Sequence, residues 1–170
     1  MLARKQIHSF SSSIISRCMA TAACQPLIVP VELVSDTLWP NGYIGKKHLN
    51  TAMEHVLGEP LPGAPRPLAF SVVRVPFFLE PDYDEKKPFV ESNRERLIKK
   101  WGGKRGWEEQ KLRHDLKGRG IEAGIPKFNL DRLTANTMAS HRLIQSIGKN
   151  YGLDISEAVY DRLNVYVVKY

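Results

Sequence analysis

A chain of 170 residues, with 42% hydrophobic and 25% charged residues, has the make-up of one soluble domain with a core of useful size rather than two or more domains. Its longest apolar runs, Val72–Val73 and Val75–Leu79 on either side of Arg74, fall far short of the roughly 20 residues that cross a bilayer, so no membrane span is expected. The net charge of +7 would suit an acidic partner, but without residues 1–24 the body keeps 22 basic against 18 acidic residues, or +4, which is no nucleic-acid signature on its own.

The first 24 residues stand apart. No acidic residue precedes Glu32, while Arg4, Lys5 and Arg17 are interleaved with Ser9, Ser11, Ser12, Ser13 and Ser16 and with apolar Leu2, Ile7, Phe10, Ile14 and Ile15. Basic, hydroxyl-rich and acid-free is the composition of an organellar transit peptide, and the serine run interrupts any secretory h-region. The expected location is therefore mitochondrial, with plastid or cytoplasmic as alternatives, and residues 1–24 are read as a leader or a disordered tail. Both cysteines, Cys18 and Cys24, lie in or beside this segment at a spacing that matches no metal or redox signature.

In the body, Leu27–Val34 (LIVPVELV) is a short β-branched run that predicts a strand, with Pro30 tolerable near its start or at an edge. After a turn at residues 35–42, Ile44, Leu49, Met53, Val56 and Leu57 recur at helical spacing and predict a helix to about Leu57. Proline-rich residues 58–67 form a connection, and Leu68–Leu79 (LAFSVVRVPFFL) predicts a second strand. Strand, helix, strand is a βαβ crossover and implies parallel pairing. Four helices follow at Phe89–Trp101, Trp107–Lys117, Thr137–Tyr151 and Ser156–Leu163, punctuated by Gly102–Gly103, Gly118 and Gly152, with Asp154 to Glu157 as a candidate capping box. The terminal Val165–Tyr170 is short and β-prone, an edge strand or a tail.

The segment Val34-Ser-Asp-Thr-Leu-Trp-Pro-Asn-Gly-Tyr-Ile-Gly-Lys-Lys47 resembles the DsbA-like thioredoxin family, in particular its FrnE-like branch, where a strand ends in Asp, a Cys-Pro-Trp-Cys motif opens the first helix and Tyr-Ile-Gly-Lys follows. Pro76-Phe-Phe-Leu-Glu-Pro81 is similar to that branch's second strand and its exit, and Asn136-Thr with Ser140-His-Arg-Leu143 is similar to its inserted helical domain. The resemblance spans about Leu27 to Tyr166. It implies an α/β fold: a thioredoxin-like βαβ unit with an inserted α-helical domain, lacking the family's C-terminal β-hairpin and last helix. The corresponding boundaries are 25–82 for the βαβ part and 83–165 for the helical insertion within one domain, 25–170. Family topology is expected to place the missing strands beside Leu68–Leu79, leaving that strand's edge open.

The resemblance also defines what is lost. Trp39 and Gly42 stand where the family has its two cysteines, so the degenerate motif Trp39-Pro40-Asn41-Gly42 holds neither an attacking nor a resolving thiol. The related kappa-class glutathione transferases keep a serine near this position, but here the nearest hydroxyls are Thr37 and Tyr43. Tyr43 and His141 are the residues expected to face a cleft, each with a packing role as the ordinary reading. No catalytic residue and no cofactor is expected. His48 and His55, seven apart on the first helix, suggest no metal site.

Lys86, Lys87, Arg94, Arg96, Lys99, Lys100, Lys104 and Arg105, with Trp101 and Trp107 nearby, form a basic stretch of the kind that contacts RNA. Glu91 and Glu95 make a solvated, internally paired helix face the more ordinary reading. Three functions follow: a divergent, redox-inactive DsbA-family protein acting as a binding or structural element through a protein partner or self-association; a protein disulfide oxidoreductase by family membership; and an RNA-facing subunit of an organellar assembly. The first is preferred.

Overall fold

In a computed structural model of the chain, residues 25–59, 62–63, 66–125, 127, 129 and 131–169 are described, with side chains through Asn164. The leader with Cys18 and part of the linker after the first helix lie outside them, as does Cys24.

Strand β1 (Leu27–Ser35) pairs in parallel with β2 (Leu68–Pro76) over nine residues, from Leu27 opposite Leu68 to Ser35 opposite Pro76. Helix α1 (Pro40–Gly58) makes the crossover between them, with Pro40 in its first turn, where a missing N–H costs nothing. Leu27 N donates to Pro67 O and Phe77 N to Ser35 O, so odd-numbered residues of both strands face each other and even-numbered ones turn outward. Pro30 therefore sits on the outer edge of β1, which no other strand pairs among the described residues.

No strand pairs the outer edge of β2 among the described residues, as the sequence leads one to expect, but side chains from a helix reach part of it. Helix α5 (Met138–Tyr151) runs beside it, and Gln145 Nε2 donates to Arg74 O (2.8 Å) while His141 Nε2 donates to Phe77 O (3.1 Å). Gln145 thus occupies one outward-facing carbonyl of β2, and His141, one helical turn earlier on α5, holds the segment just past the strand's end. The outer edge of β1 is likewise unpaired by any strand among the described residues, and Ile28 and Val34 there are 62% and 53% exposed, with Val73 of β2 at 43%.

The helical block differs from the sequence reading at its boundaries. The strands β3 (Glu91–Ser92) and β4 (Leu133–Thr134) pair antiparallel, and β3 leads directly into α2 (Asn93–Lys100), whose N-cap Ser92 accepts from Glu95 N. The predicted helix at Trp107–Lys117 is two: α3 (Lys104–His114) and α4 (Leu116–Glu122), broken at Asp115, which adopts a left-handed conformation (φ 36°) and caps α4 through Gly118 N. Gly118 is therefore inside a helix rather than ending one. Helix α6 (Leu153–Lys169) takes in the β-prone terminus through Lys169, because a helix already docked through Tyr160 and Asn164 extends at little cost whatever the intrinsic preference. Asp154 lies in its first turn, not at its cap.

The core sits among the helices: Tyr43 and Ile44 of α1, Ile125, Ile144 of α5 and Tyr160 of α6, with Leu116, Ala123, Val159 and Leu163 packed around them.

A candidate binding cleft at the first helix N-terminus

Asp36, the residue that follows β1, organises the site. It is 1% exposed, its Oδ1 accepts from Leu38 N (3.0 Å) and its Oδ2 from Leu79 N (2.7 Å), which joins the loop entering α1 to the segment leaving β2. Burial pushes its carboxyl up, but His141, the two amides and Thr137 together more than offset this and hold it below its ordinary value. Leu38 is gripped from the other side by Arg132, whose Nη2 donates to Leu38 O (2.8 Å). The β3–β4 pairing fixes Arg132 in turn, since Asn93 N donates to Arg132 O (2.8 Å).

Leu38 and Leu79 form one wall of a cavity of about 640 Å3. Trp39, Pro40 and Asn41 line it from the start of α1, Arg96, Leu97 and Lys100 from α2, and Trp101 from the turn that follows. Trp107, Lys111, Leu112 and His114 line it from α3, with Asp115, Leu116, Lys117 and Arg132 beside them. Its size and largely apolar walls are those of a small-molecule site. The three tryptophans of the chain all line it.

Arg132 is 8% exposed, and its Nε and Nη1 have no hydrogen-bond acceptor among the described residues. Burial, with Arg96 nearby, lowers its guanidinium to about 10 against a counter-effect from Asp36, so it stays charged at neutral pH. Leaving donors of a buried cation unpaired is costly, on the order of 1 to 3 kcal/mol or more each.

The residues singled out in the sequence divide here. Trp39, Pro40 and Asn41 line the cavity, with Trp39 38% exposed, and Asn41 Oδ1 accepts from Arg119 Nη1 (3.2 Å). Gly42 lies behind them, where an added Cβ would stand 3.2 Å from Ser35 Cβ. Tyr43 and His141 line no part of the cavity. Tyr43 is in the core, 3% exposed, against the Tyr160 ring, and burial with Asp161 and Tyr160 pushes its phenol up to about 12. His141 is buried edge-on to Phe78 and 3.6 Å from Asp36 Oδ1. Each packs in the scaffold. The exposed His48 and His55 join no metal-binding cluster among the described residues, and His55 faces Glu59 at 3.8 Å.

Sequence reasoning missed Arg132 altogether. It lies in no motif, and only the pairing of two strands 40 residues apart brings it to Leu38. Asp36 carried a signal, an acidic residue ending an apolar strand, whose role required knowing that Leu79 returns beside it.

The architecture is a thioredoxin-like α/β fold with a helical insertion. Among solved structures, the chain is similar to a probable DsbA oxidoreductase from Streptomyces coelicolor, with a TM-score of 0.59 and 22% identity over 77% of this chain. The match covers 52% of that protein, so the chain spans about half its length. No protein-family model matches the chain, and no curated protein does.

Proposed function

We propose that this chain is a redox-inactive relative of the DsbA-like thioredoxin proteins, FrnE-like in its Tyr43-Ile44-Gly45-Lys46 sequence, that works as a binding element through the cavity at the start of α1. The observation that carries this reading is the lining of that cavity: no described thiol or hydroxyl side chain stands there, and the helix N-terminus that would activate a cysteine presents Trp39 instead. Trp39 cannot attack a disulfide, and Gly42 cannot resolve one. What remains is a concave, indole-lined pocket on a rigid frame, which is suited to holding a ligand.

The test is insulin reduction and refolding of scrambled ribonuclease by protein in which Cys18 and Cys24 are replaced by serine. The expected result is turnover no greater than a heat-inactivated control. Activity above that control would end this reading and restore the oxidoreductase alternative.

The organellar address belongs to the same proposal, with cleavage before Leu27. Recovery of an intact Met1 terminus from mitochondria would remove it. An RNA-facing role gains little from the basic stretch. Arg94 is engaged by Asp131, Arg96 by Glu80, Lys99 by Glu91 and Arg105 by Glu109, while Lys86, Lys87 and Lys104 have no ion-pair partner among the described residues. No helix among the described residues is long and apolar enough to cross a membrane.

A further inference from the structure

The charges around the cavity are one-sided. Five basic side chains, those of Arg96, Lys100, Lys111, Lys117 and Arg132, line it against one carboxylate, that of Asp115. The carboxylate is already engaged as the cap of α4, through Gly118 N. Two of the cations are answered locally, Arg96 by Glu80 and Lys111 by Glu108 at 3.4 Å. Lys100 faces the Trp101 ring, and among the described residues Lys100 and Lys117 have no ion-pair partner and two nitrogens of the buried Arg132 guanidinium lack acceptors. The 19-residue α1 adds the positive end of its dipole, with no acidic residue in its first turn and no side-chain cap at Trp39. Between these charges lie the Trp39, Trp101 and Trp107 indoles. An apolar volume with a positive wall only partly answered by acids fits a ligand of the opposite construction.

Resting on the reading that this cavity is a binding site, we propose that its ligand is a small amphipathic carboxylate. Its apolar body lies among the three tryptophans, and its anionic head is drawn to the Arg132 side, where the α1 N-terminus also points. Apolar burial supplies most of the affinity, and the charge selects acid over alcohol or amine. A neutral ligand leaves the Arg132 charge as it is in the empty protein, and a cationic one is repelled by it.

The experiment uses the full chain labelled with 5-fluorotryptophan, so that fluorine NMR reports Trp39, Trp101 and Trp107 and nothing else. The probe is 1-pyrenebutyrate, compared with 1-pyrenebutanol and 1-pyrenebutylamine. Saturable binding of the acid at a Kd of about 1 to 100 µM is expected, with all three resonances moving and an affinity at least about tenfold above that of the alcohol or the amine. Arg132→Gln is expected to weaken the acid by about tenfold and leave the alcohol unchanged. Because Arg132 also holds Leu38, the double variant Lys100→Gln with Lys117→Gln, both exposed side chains, provides the second arm and is expected to weaken the acid by about threefold.

Equal affinity for acid, alcohol and amine overturns the proposal, as does saturable binding that leaves the tryptophan resonances unmoved. So does full acid affinity in the double-lysine variant. Complete failure of the acid to bind also overturns it, while the absence of disulfide turnover would still stand, so the two readings fail separately.

Discussion

The guanidinium of Arg74 lies over the ring of Tyr160, its Cζ 3.2 Å from the ring centroid, and so fastens β2 to α6. Glu157, one turn before Tyr160, meets the same guanidinium at Nε (2.6 Å) and Nη2 (2.9 Å) and also takes Lys46 of α1 at 3.1 Å. Asp161 holds Lys46 from the other side at 2.5 Å. Two cations and two carboxylates balance in a nearly buried cluster, with the Arg74 side chain 7% and that of Lys46 3% exposed. A two-stranded sheet has little core of its own. The cluster joins it to the helices.

That arrangement makes Glu157 the residue whose loss is felt most. Glu157→Gln leaves two buried cations facing Asp161 alone and is expected to cost about 3 to 5 kcal/mol, the usual penalty for breaking one side of a buried pair. Urea denaturation followed by circular dichroism measures it. The double change Arg74→Met with Glu157→Leu is expected to lose less than Glu157→Gln alone, since it removes opposite charges together. A double variant that is the less stable would mean that packing on Tyr160, not charge balance, dominates.

Asp36 gives the fold an acid-sensitive point near the cavity wall. Its folded carboxyl is held below its ordinary value, so its contribution is complete above the unfolded value of about 3.9 and is lost as pH falls through the lower, folded value. Melting temperature against pH is expected to fall on the acid side of about pH 4. Asp36→Asn is expected to lower stability at neutral pH and flatten that acid limb. An unchanged limb in the variant would assign acid sensitivity to other carboxylates.

The elements that sequence reading recovered are those set by local chemistry. The strands and α1 follow from β-branched runs and helical spacing, and α5 from its apolar period and the glycine at its end. The Tyr43-Ile44-Gly45-Lys46 sequence, which carried the resemblance, turns out to be scaffold: Tyr43 and Ile44 enter the core and Lys46 the charge cluster. Tyr43 and His141 drew attention as reactive side-chain types, but burial, which composition does not show, makes them packing residues. The cavity was legible at Trp39-Pro40-Asn41 and, read as a basic and aromatic stretch, at Arg96, Lys100, Trp101 and Trp107. Its other walls meet through contacts such as Arg132 to Leu38, 94 residues apart, which no local pattern announces. The unpaired edge of β2 was legible, but the α5 side chain that reaches it, Gln145 on Arg74 O, could not be placed from spacing alone.

Gly106 is where backbone approach leaves no room for a side chain. A Cβ there would stand 2.0 Å from the Trp101 carbonyl oxygen, in the first turn of α3 where it packs on the end of α2. Gly106→Ala is expected to cost about 1 to 3 kcal/mol despite the better helix propensity of alanine, because relief requires moving Trp101 and α3 apart. Both elements line the cavity, so tryptophan emission should change with stability. A variant as stable as the parent would mean that the two helices move apart freely.

The last prediction asks whether the redox geometry survives without its thiols. Positions 39 and 42 flank the first turn of α1, three residues apart, a spacing at which a disulfide's Cα separation of about 4.4 to 6.8 Å is normally met. Trp39→Cys with Gly42→Cys also removes the indole carbon that a Cβ at position 42 would meet at 3.5 Å, leaving the 3.2 Å approach of Ser35 Cβ as the one tight contact. Ser35 is 5% exposed and must give by a few tenths of an ångström, so Gly42→Cys alone is expected to cost about 1 kcal/mol. In a background with Cys18 and Cys24 replaced by serine, mild oxidation of the double variant is expected to close the pair. Alkylation and mass spectrometry count the thiols that remain. In the reduced form, the thiol at position 39 faces a helix N-terminus and the positive wall around Arg132, both of which favour thiolate, so iodoacetamide should modify it faster than a free cysteine at about pH 6. Two thiols that stay open to alkylation after oxidation would show that this turn no longer has the shape its fold implies.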